Sequence, residues 1–502
     1  MTLWNTKKIS TYSRPGSQLV ATGAGGRGVQ LSDQPVQPQQ LSGATPWVNR
    51  ESMIRNEAAL ARSARHEHAL RSIEAGIKAG HPRTVVESAL SLTDGVLALG
   101  DEQYRLDEFE ELLVLGGGKP AGQVAAALED LLGDHLDGGL VVTDTPADTS
   151  RIDAVEGTHP LPSTANVEGT RRLLDWADAA TADDLVLVVI GGGGSALLCA
   201  PADGVSLGAY RTVTDQLLES GATIDEINAV RKHLSAIKGG QLARALAPST
   251  AVGLALSDVV GDPLDVIASG PTAPDPTRYD DALAVLDQYD IDAPDTVRAM
   301  LDRGANGERP ETPTEGDAAV QHARNHVLAN NRTALDAAAA VCEEAGYRLA
   351  TLSAGIEGEA REVGRVHAAI ADSCMATGEP FEPPVALLSG GETTVTVRGE
   401  GRGGPNQEVA LGAAIDLAAA GGVGAADGGP VLASVDTDGI DGATDAAGAL
   451  VDGATVTDRR AAQRALADND AFTYLNDRDA LVLTGPTGTN VNDLRVVLVG
   501  EP

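Results

Sequence analysis

The residues best placed to do chemistry follow short apolar runs, in loops dense with glycine. After Leu112-Leu-Val-Leu115 comes Gly116-Gly117-Gly118-Lys119-Pro-Ala-Gly122. Glycines let backbone approach an anion, and a lysine adds a mobile point charge. This is not a Walker A loop, because the GxxxxGK[ST] spacing fails and Pro120 follows the lysine. A tight turn with an incidental lysine is the plain alternative. Six lysines stand against 31 arginines in the whole chain, so one kept at a strand end points to function. A second loop, Gly191-Gly192-Gly193-Gly194-Ser195-Ala, enters a helix beyond another apolar run and suits a phosphate or carboxylate cradle, with close helix–sheet packing as the alternative. Ser195 is not in a GxSxG elbow, which argues against a nucleophilic serine.

Four further segments carry charge or donors. Arg231, Ser235 and Lys238 are spaced to share one helical face, able to hold a polyanion or to pair with acidic neighbours. Ser257-Asp258 and Gly261-Asp262-Pro263 put carboxylates at a strand end, as a general base, a Mg²⁺ ligand or simply Asx turns. Ser389-Gly-Gly-Glu392 leads to Gly401-Arg402-Gly-Gly-Pro-Asn406-Gln407. Here Asn406 is expected to cap a helix whose N-terminus stays open to an anion. Asp436-Thr-Asp438-Gly-Ile-Asp441-Gly-Ala-Thr-Asp445 lacks EF-hand spacing but could hold Mg²⁺ partly through water or phosphates. The loop from Thr484 to Asp493, with Asn490, is rich in hydroxyl and amide donors. Without HExxH or paired thiols, this mixture fits phosphoryl transfer, which needs cations, backbone N–H groups, a metal and a positioned hydroxyl.

The elements that must position these loops read as α/β. Apolar strands at Glu111–Gly118, Leu140–Asp144, Leu185–Gly194 and Val252–Asp258 alternate with amphipathic helices, predicting a parallel sheet covered on both faces. A helical pattern runs over Ile54–Ala79. A Gly/Pro/Glu/Thr-rich stretch, Arg303–Ala318, predicts a linker, and a second series follows: His326–Ala329, a helix through Ala345, Val385–Gly391, Thr393–Val397, a helix from Asn406, Val431–Val435 and Ala480–Thr484. The expected division is an extension over 1–52, an N-terminal Rossmann-like domain over 53–303, a linker over 304–322 and a C-terminal α/β domain with a mixed sheet over 323–502, the active site lying in the cleft between domains. The extension carries a formal GxGxxG match at Gly23–Gly28, without a strand before it or a helix after it. Translation is expected to start naturally at Met53; an intact mass including Met1 would contradict this.

Composition narrows the class. The chain has 502 residues, 37 Lys+Arg against 72 Asp+Glu, and a formal net charge of -35, which opposes nucleic acid and anionic membranes as partners. An acidic, lysine-poor surface suits a halophile's protein, where salt screens self-repulsion. Cys199, Cys342 and Cys374 are too few and too scattered for a disulfide framework, which fits a reducing cytoplasm. No membrane or export segment stands out in the sequence.

Together these motifs resemble glycerate 2-kinases of the MOFRL (DUF4147) family, with a haloarchaeal source expected. The resemblance runs from about residue 65 to the C-terminus. It rests on Gly116–Lys119, Gly157-Thr-His159-Pro, Gly192–Leu198, Val230–Gly240, Leu256–Pro263, Ser389–Thr393, Gly403–Glu408, Asp436–Gly442 and Gly485–Asn490. It implies ATP-dependent phosphorylation of D-glycerate at the 2-hydroxyl, with Mg²⁺, and allows a homodimer. Lys119 matches the family's active-site lysine. The family also uses an arginine from its C-terminal domain; this chain has Pro405 at the matching place, and Arg402 stands in for it. Asp258 is the third catalytic candidate, with Asp436 and Asp438 for the metal. Gly117, Gly118, His159, Gly193, Gly194, Ser195, Arg231, Lys238, Glu392, Asn406, Gln407 and Asn490 are expected to bind substrate or ATP. Relatives labelled hydroxypyruvate reductase make NAD(P)-dependent reduction the rival reading, and a non-catalytic sugar-acid or nucleotide sensor the other.

Overall fold

The computed structural model describes residues 52–419 and 429–502, so the Gly23–Gly28 match and the rest of the expected extension lie outside the described residues. Three short antiparallel strands, β1 (Leu90–Thr93), β2 (Val96–Leu99) and β3 (Glu102–Arg105), form a small sheet. The continuous Val/Leu/Ile runs then build a parallel sheet of β4 (Leu112–Gly117), β5 (Gly138–Thr143), β6 (Ile152–Glu156), β7 (Leu185–Gly191), β8 (Thr250–Leu256) and β9 (Ala323–Ala329). Their order is β6-β5-β4-β7-β8-β9. Numbered from β4, this is the 3-2-1-4-5-6 order of a doubly wound sheet, whose direction of winding reverses between β4 and β7. Ligand crevices open at that reversal, beyond the carboxyl ends of the two strands. The loops carrying Lys119 and Ser195 leave from those two ends.

The second sheet is mixed: β10 (Arg348–Glu359), β11 (Val385–Thr394), β12 (Val431–Asp436), β13 (Gly448–Asp452), β14 (Leu481–Val482) and β15 (Asp493–Val499), in the order β10-β11-β15-β12-β13-β14. Only β10 and β11 run parallel; the other pairings are antiparallel. One face is covered by the helices Ala64–Ala79 and Asn331–Glu344, which bury Leu70, Ile73, Ile77 and Leu335 against Val431, Val435 and Leu494. Burial of each such side chain stabilises the fold by about 1.5–3 kcal/mol. The other face takes the helices Ala360–Thr377 and Pro405–Ala419.

Several elements depart from the sequence reading. The strand over His326–Ala329, expected to open the second series, is part of β9 and hydrogen-bonds to β8 in the first sheet. The N-terminal helix Ala64–Ala79 instead packs on the second sheet, so elements cross the expected division in both directions. The helical pattern from Ile54 breaks: one turn over Glu57–Leu60 ends, and extended Ser63 (φ -151°) restarts a helix by accepting from the His66 N–H. Thr393–Val397 is not a separate strand, because β11 runs through to Thr394. The predicted linker is pinned rather than free: Thr312 is buried on Asp275, and the Pro313 carbonyl accepts from the Asp275 N–H.

Among the described residues, no helix is long and apolar enough to cross a membrane.

Candidate active site

The site is assembled where the ends of both sheets meet. Gly118 (φ +139°) turns the chain out of β4, and the Lys119 N–H donates to the Gly192 carbonyl at 2.8 Å. The loops after β4 and β7 are thereby stitched together. Gly193 is left-handed (φ +74°); a methyl group there would lie 2.9 Å from Lys119 Cγ and 3.2 Å from His159 Cδ2, so glycine is needed for these groups to converge. A methyl group on Gly192 would overlap Asp258, which follows β8. Asn490 Nδ2 donates to Asp258 Oδ2 at 3.4 Å, joining the two halves across the cleft.

Lys119 is the positive centre. Among the described residues it is the one lysine whose ammonium has no protein partner: Lys78 pairs with Glu74, Lys232 with Asp265 and Asp275, and Lys238 with a carbonyl. Its charge reaches His159, Asp258 and Asp438 alike. Burial, then the Lys119 ammonium, holds His159 below its ordinary pKa. Burial raises Asp258 above the usual carboxylate range, with its own backbone N–H and Lys119 opposing.

Across the cleft, Asp436 ends β12 and Asp438 follows in a tight turn, its N–H donating to Asp436 Oδ1 at 3.0 Å while Asp438 Oδ1 accepts from the Ile440 N–H at 2.8 Å. Burial, then the charges of Asp438 and Asp493, lifts Asp436 well above its ordinary pKa; Asp438 is raised chiefly by burial. Glu392 is raised by burial and then by Asp493, Asp258 and Glu357. Carboxylates held at raised pKa around a single free ammonium lack positive charge, a deficit that a ligand's cation can fill. Among the described residues no group of three His, Cys, Asp or Glu forms a metal cage. The donor set suits Mg²⁺, which takes one or two carboxylates and completes its shell with water and substrate phosphates.

Lys238, Asn406, Gln407 and the catalytic candidate Arg402 are placed differently from expectation. Lys238 is fully buried and donates to the Leu198 carbonyl at 2.5 Å, and burial lowers its pKa to about 8. It shares no helical face with Arg231, because that helix (Ile224–His233) ends five residues earlier. Arg231 is half-buried, and its side chain has no hydrogen-bond or ion-pair partner among the described residues. Asn406 and Gln407 are fully buried and face protein: Asn406 bonds Asp493 and Ser434, Gln407 bonds Thr444. The helix N-terminus they begin is not open to an anion, because the Asp441 carboxylate already accepts from both backbone N–H groups at 2.9 Å. Arg402 pairs with Asp445 at 3.1 Å and stacks over Phe472 at 4.0 Å, on the exposed rim. It therefore does not supply the cation beside Lys119. Ser195 lines the cleft, but its hydroxyl is engaged with Ser269 at 2.8 Å, and Ser269 in turn with Asn228. Gly117, Gly118 and Gly194 supply the close backbone of the two loops rather than side-chain contacts.

Sequence reasoning missed the supports beneath the site. Asp493 accepts from the Thr393 N–H and hydroxyl, from Asn406 and from fully buried Arg495. The available signal was the pair of charges inside the otherwise apolar run Asp493-Leu-Arg495-Val-Val-Leu-Val. Asp441, buried completely with its pKa raised to about 7, anchors the acidic loop to the helix it caps.

The chain matches the family described as "Domain of unknown function (DUF4147)" over residues 68–302 and the "MOFRL family" over residues 385–493. A Pyrococcus horikoshii protein named glycerate 2-kinase is 38% identical over 442 residues, covering 86% of this chain and 97% of that protein. An Agrobacterium vitis protein, provisionally named a hydroxypyruvate reductase, is 43% identical over 398 residues, covering 77% of this chain and 87% of that protein. The crystal structure of glycerate kinase from Thermotoga maritima aligns with a TM-score of 0.76 at 36% identity, covering 86% of this chain and 99% of that one.

Proposed function

This chain belongs to the glycerate kinase family, in which a DUF4147 domain precedes a MOFRL domain, and on that premise we propose that it transfers the γ-phosphoryl group of ATP to the 2-hydroxyl of D-glycerate. The observation that carries this reading is the unpartnered Lys119 ammonium, held at the sheet's reversal point with its charge lowering the pKa of both Asp258 and Asp438 against the effect of burial. Phosphoryl transfer requires little covalent chemistry from a protein. It requires alignment of the acceptor oxygen and neutralisation of charge on the transferred group.

In this reading Lys119 neutralises charge on the γ-phosphoryl as it leaves ADP, and the backbone of Gly117, Gly118 and Gly193 lets phosphate approach closely. Asp258, kept basic enough by burial and oriented by Asn490, accepts the proton of the attacking hydroxyl. His159 stays neutral beside Lys119 and offers a hydrogen bond to the acid. Arg231, with no protein partner, is the reserve cation for a carboxylate. Asp436 and Asp438 would hold Mg²⁺, which when bound neutralises phosphate charge. Small molecules rather than nucleic acid are the partners in this reading. The buried, unpaired cysteines support a reducing, cytoplasmic setting, and the acidic surface supports work in concentrated salt.

The metal assignment has a consequence in pH. Asp258, Asp436, Asp438 and Glu392 all have folded pKa values above their ordinary ones, and Asp441 reaches about 7. A carboxyl group raised on folding holds its proton more tightly in the folded state. Its contribution therefore falls as pH rises from about 4, the unfolded value, through the raised one. As pH rises more of the cluster ionises and repels itself, and as pH falls protons compete increasingly with a cation. Added Mg²⁺ is expected to raise the Tm clearly at pH 8 and much less at pH 5, measured by differential scanning calorimetry. Equal shifts at both pH values would remove the metal from these aspartates.

The reaction itself is tested by incubating the protein with D-glycerate, ATP and Mg²⁺ in concentrated salt and reading the product by phosphorus NMR. Formation of 2-phosphoglycerate with stoichiometric ADP is expected. A parallel assay with hydroxypyruvate covers the rival suggested by the Agrobacterium vitis relative's name. Oxidation of NAD(P)H there, without phosphoglycerate formation in the first assay, would replace the kinase reading with a reductase.

A further inference from the structure

The carboxyl ends of β7 and β8 on one side, and of β10 and β11 on the other, enclose a cavity of about 480 Å³ next to the Lys119 site. Cofactor-sized ligands occupy pockets of roughly 300–1,000 Å³, and a three-carbon acid would fill only a small part of this one. One wall is apolar: Ile224, Val259, Val260, Pro263 and Val266. Ile224 is 52% exposed, in a chain whose surface is otherwise strongly acidic. The opposite wall carries Glu357 and Glu392, register partners on adjacent parallel strands, and Asp225 closes the rim. At the inner end the cavity reaches Gly192, Gly193 and Asp258, the reaction side.

Charge decides what this cavity can take. No lysine or arginine is among the residues that line it, while four carboxylates are. Neither a polyphosphate nor a carboxylic acid would leave Lys119 for such a lining. A flat, uncharged group with hydroxyl and amino donors suits both walls: apolar side chains cover one face, and carboxylates accept from its donors. We propose that the cavity is the nucleoside subsite, with the base against Ile224, Val260 and Val266 and the ribose hydroxyls donating to Glu357 and Glu392. The phosphates then extend past Gly193 to Lys119, leaving the three-carbon acid on the far side, toward His159 and Asn490. This rests on the kinase reading above for its ligand, ATP, and assigns each end of that ligand a place.

The test is calorimetric titration of ADP without glycerate, alongside steady-state kinetics, on the wild-type chain and on Val260→Phe and Glu357→Gln. Both positions are partly exposed loop or edge-strand sites, so both variants are expected to fold. A subsite filled or stripped of a donor's partner typically costs tenfold or more, so each variant should weaken ADP binding about 10-fold or beyond while the glycerate KM stays within about twofold. Wild-type ADP affinity in both variants, or a raised glycerate KM with unchanged ADP binding, would overturn the assignment. The two readings fail separately. Tight ADP binding without phosphoglycerate formation would sink the kinase reading alone; phosphoglycerate formation with indifferent variants would sink the subsite alone.

Discussion

Lys119→Ala is expected to lower kcat/KM for phosphorylation by on the order of 10³-fold, while the unfolding transition stays where it is. The magnitude follows from what the ammonium does. It is the unpartnered lysine charge of the site, close enough to act on His159, Asp258 and Asp438 together. Without it, the transferred phosphoryl group would face the surrounding carboxylates with no ammonium to offset them. The fold should be spared because the side chain makes no hydrogen bond or ion pair, and the loop is held through backbone, from Lys119 N–H to Gly192 O. Lys119→Arg should recover little, since a planar guanidinium in the space beside Gly193 and His159 displaces its own charge. Circular dichroism and denaturant unfolding separate the effects: turnover lost with an unchanged midpoint is expected, whereas turnover within tenfold of wild type would remove Lys119 from the chemistry.

Asp493→Asn is expected to act in the opposite way, on stability first. Arg495 is fully buried, and its guanidinium meets the Asp493 carboxylate, which also accepts from Thr393 and Asn406. Neutralising Asp493 leaves a buried cation without its counter-charge, a change that costs about 3–5 kcal/mol. In denaturant unfolding this should appear as a lower midpoint at nearly constant slope. Replacing both charges, Asp493→Asn with Arg495→Met, should recover much of the loss, because the desolvation cost of the cation disappears with it. A loss below about 1 kcal/mol in the single variant would show that the pair is not the support it is taken to be. The acidic loop should also slacken. Asn406 is shared between Asp493 and Asp441, and Asp441 clamps that loop to the helix N-terminus.

These two residues also mark what could be read in the sequence. Lys119 and the Ser195 loop were legible because a strand buried on both faces must be continuously apolar. The first glycine after such a run therefore marks its carboxyl end, where ligands gather. The acidic loop at Asp436 and Asp438 was legible for the same reason. Asp493 and Arg495 were not, since their partners come from β11 and from the helix start at Asn406, and a single chain segment does not announce that its charges will be satisfied from elsewhere. Lys238 was misread because spacing alone extends a helix past His233, where the chain in fact turns and buries the ammonium on Leu198. Asn406 and Gln407 were misread because a helix N-terminus is an anion site only while empty, and Asp441 fills this one. β9 was assigned to the wrong sheet because strand composition does not encode which edge a strand joins.

The arrangement as a whole is tested most directly by a crystal structure with a non-hydrolysable ATP analogue and D-glycerate. The terminal phosphate should lie within hydrogen-bonding reach of Lys119 Nζ, with the 2-hydroxyl of glycerate in line behind it and nearer than the 3-hydroxyl. A nucleotide bound away from Lys119, or glycerate presenting its 3-hydroxyl, would contradict the account.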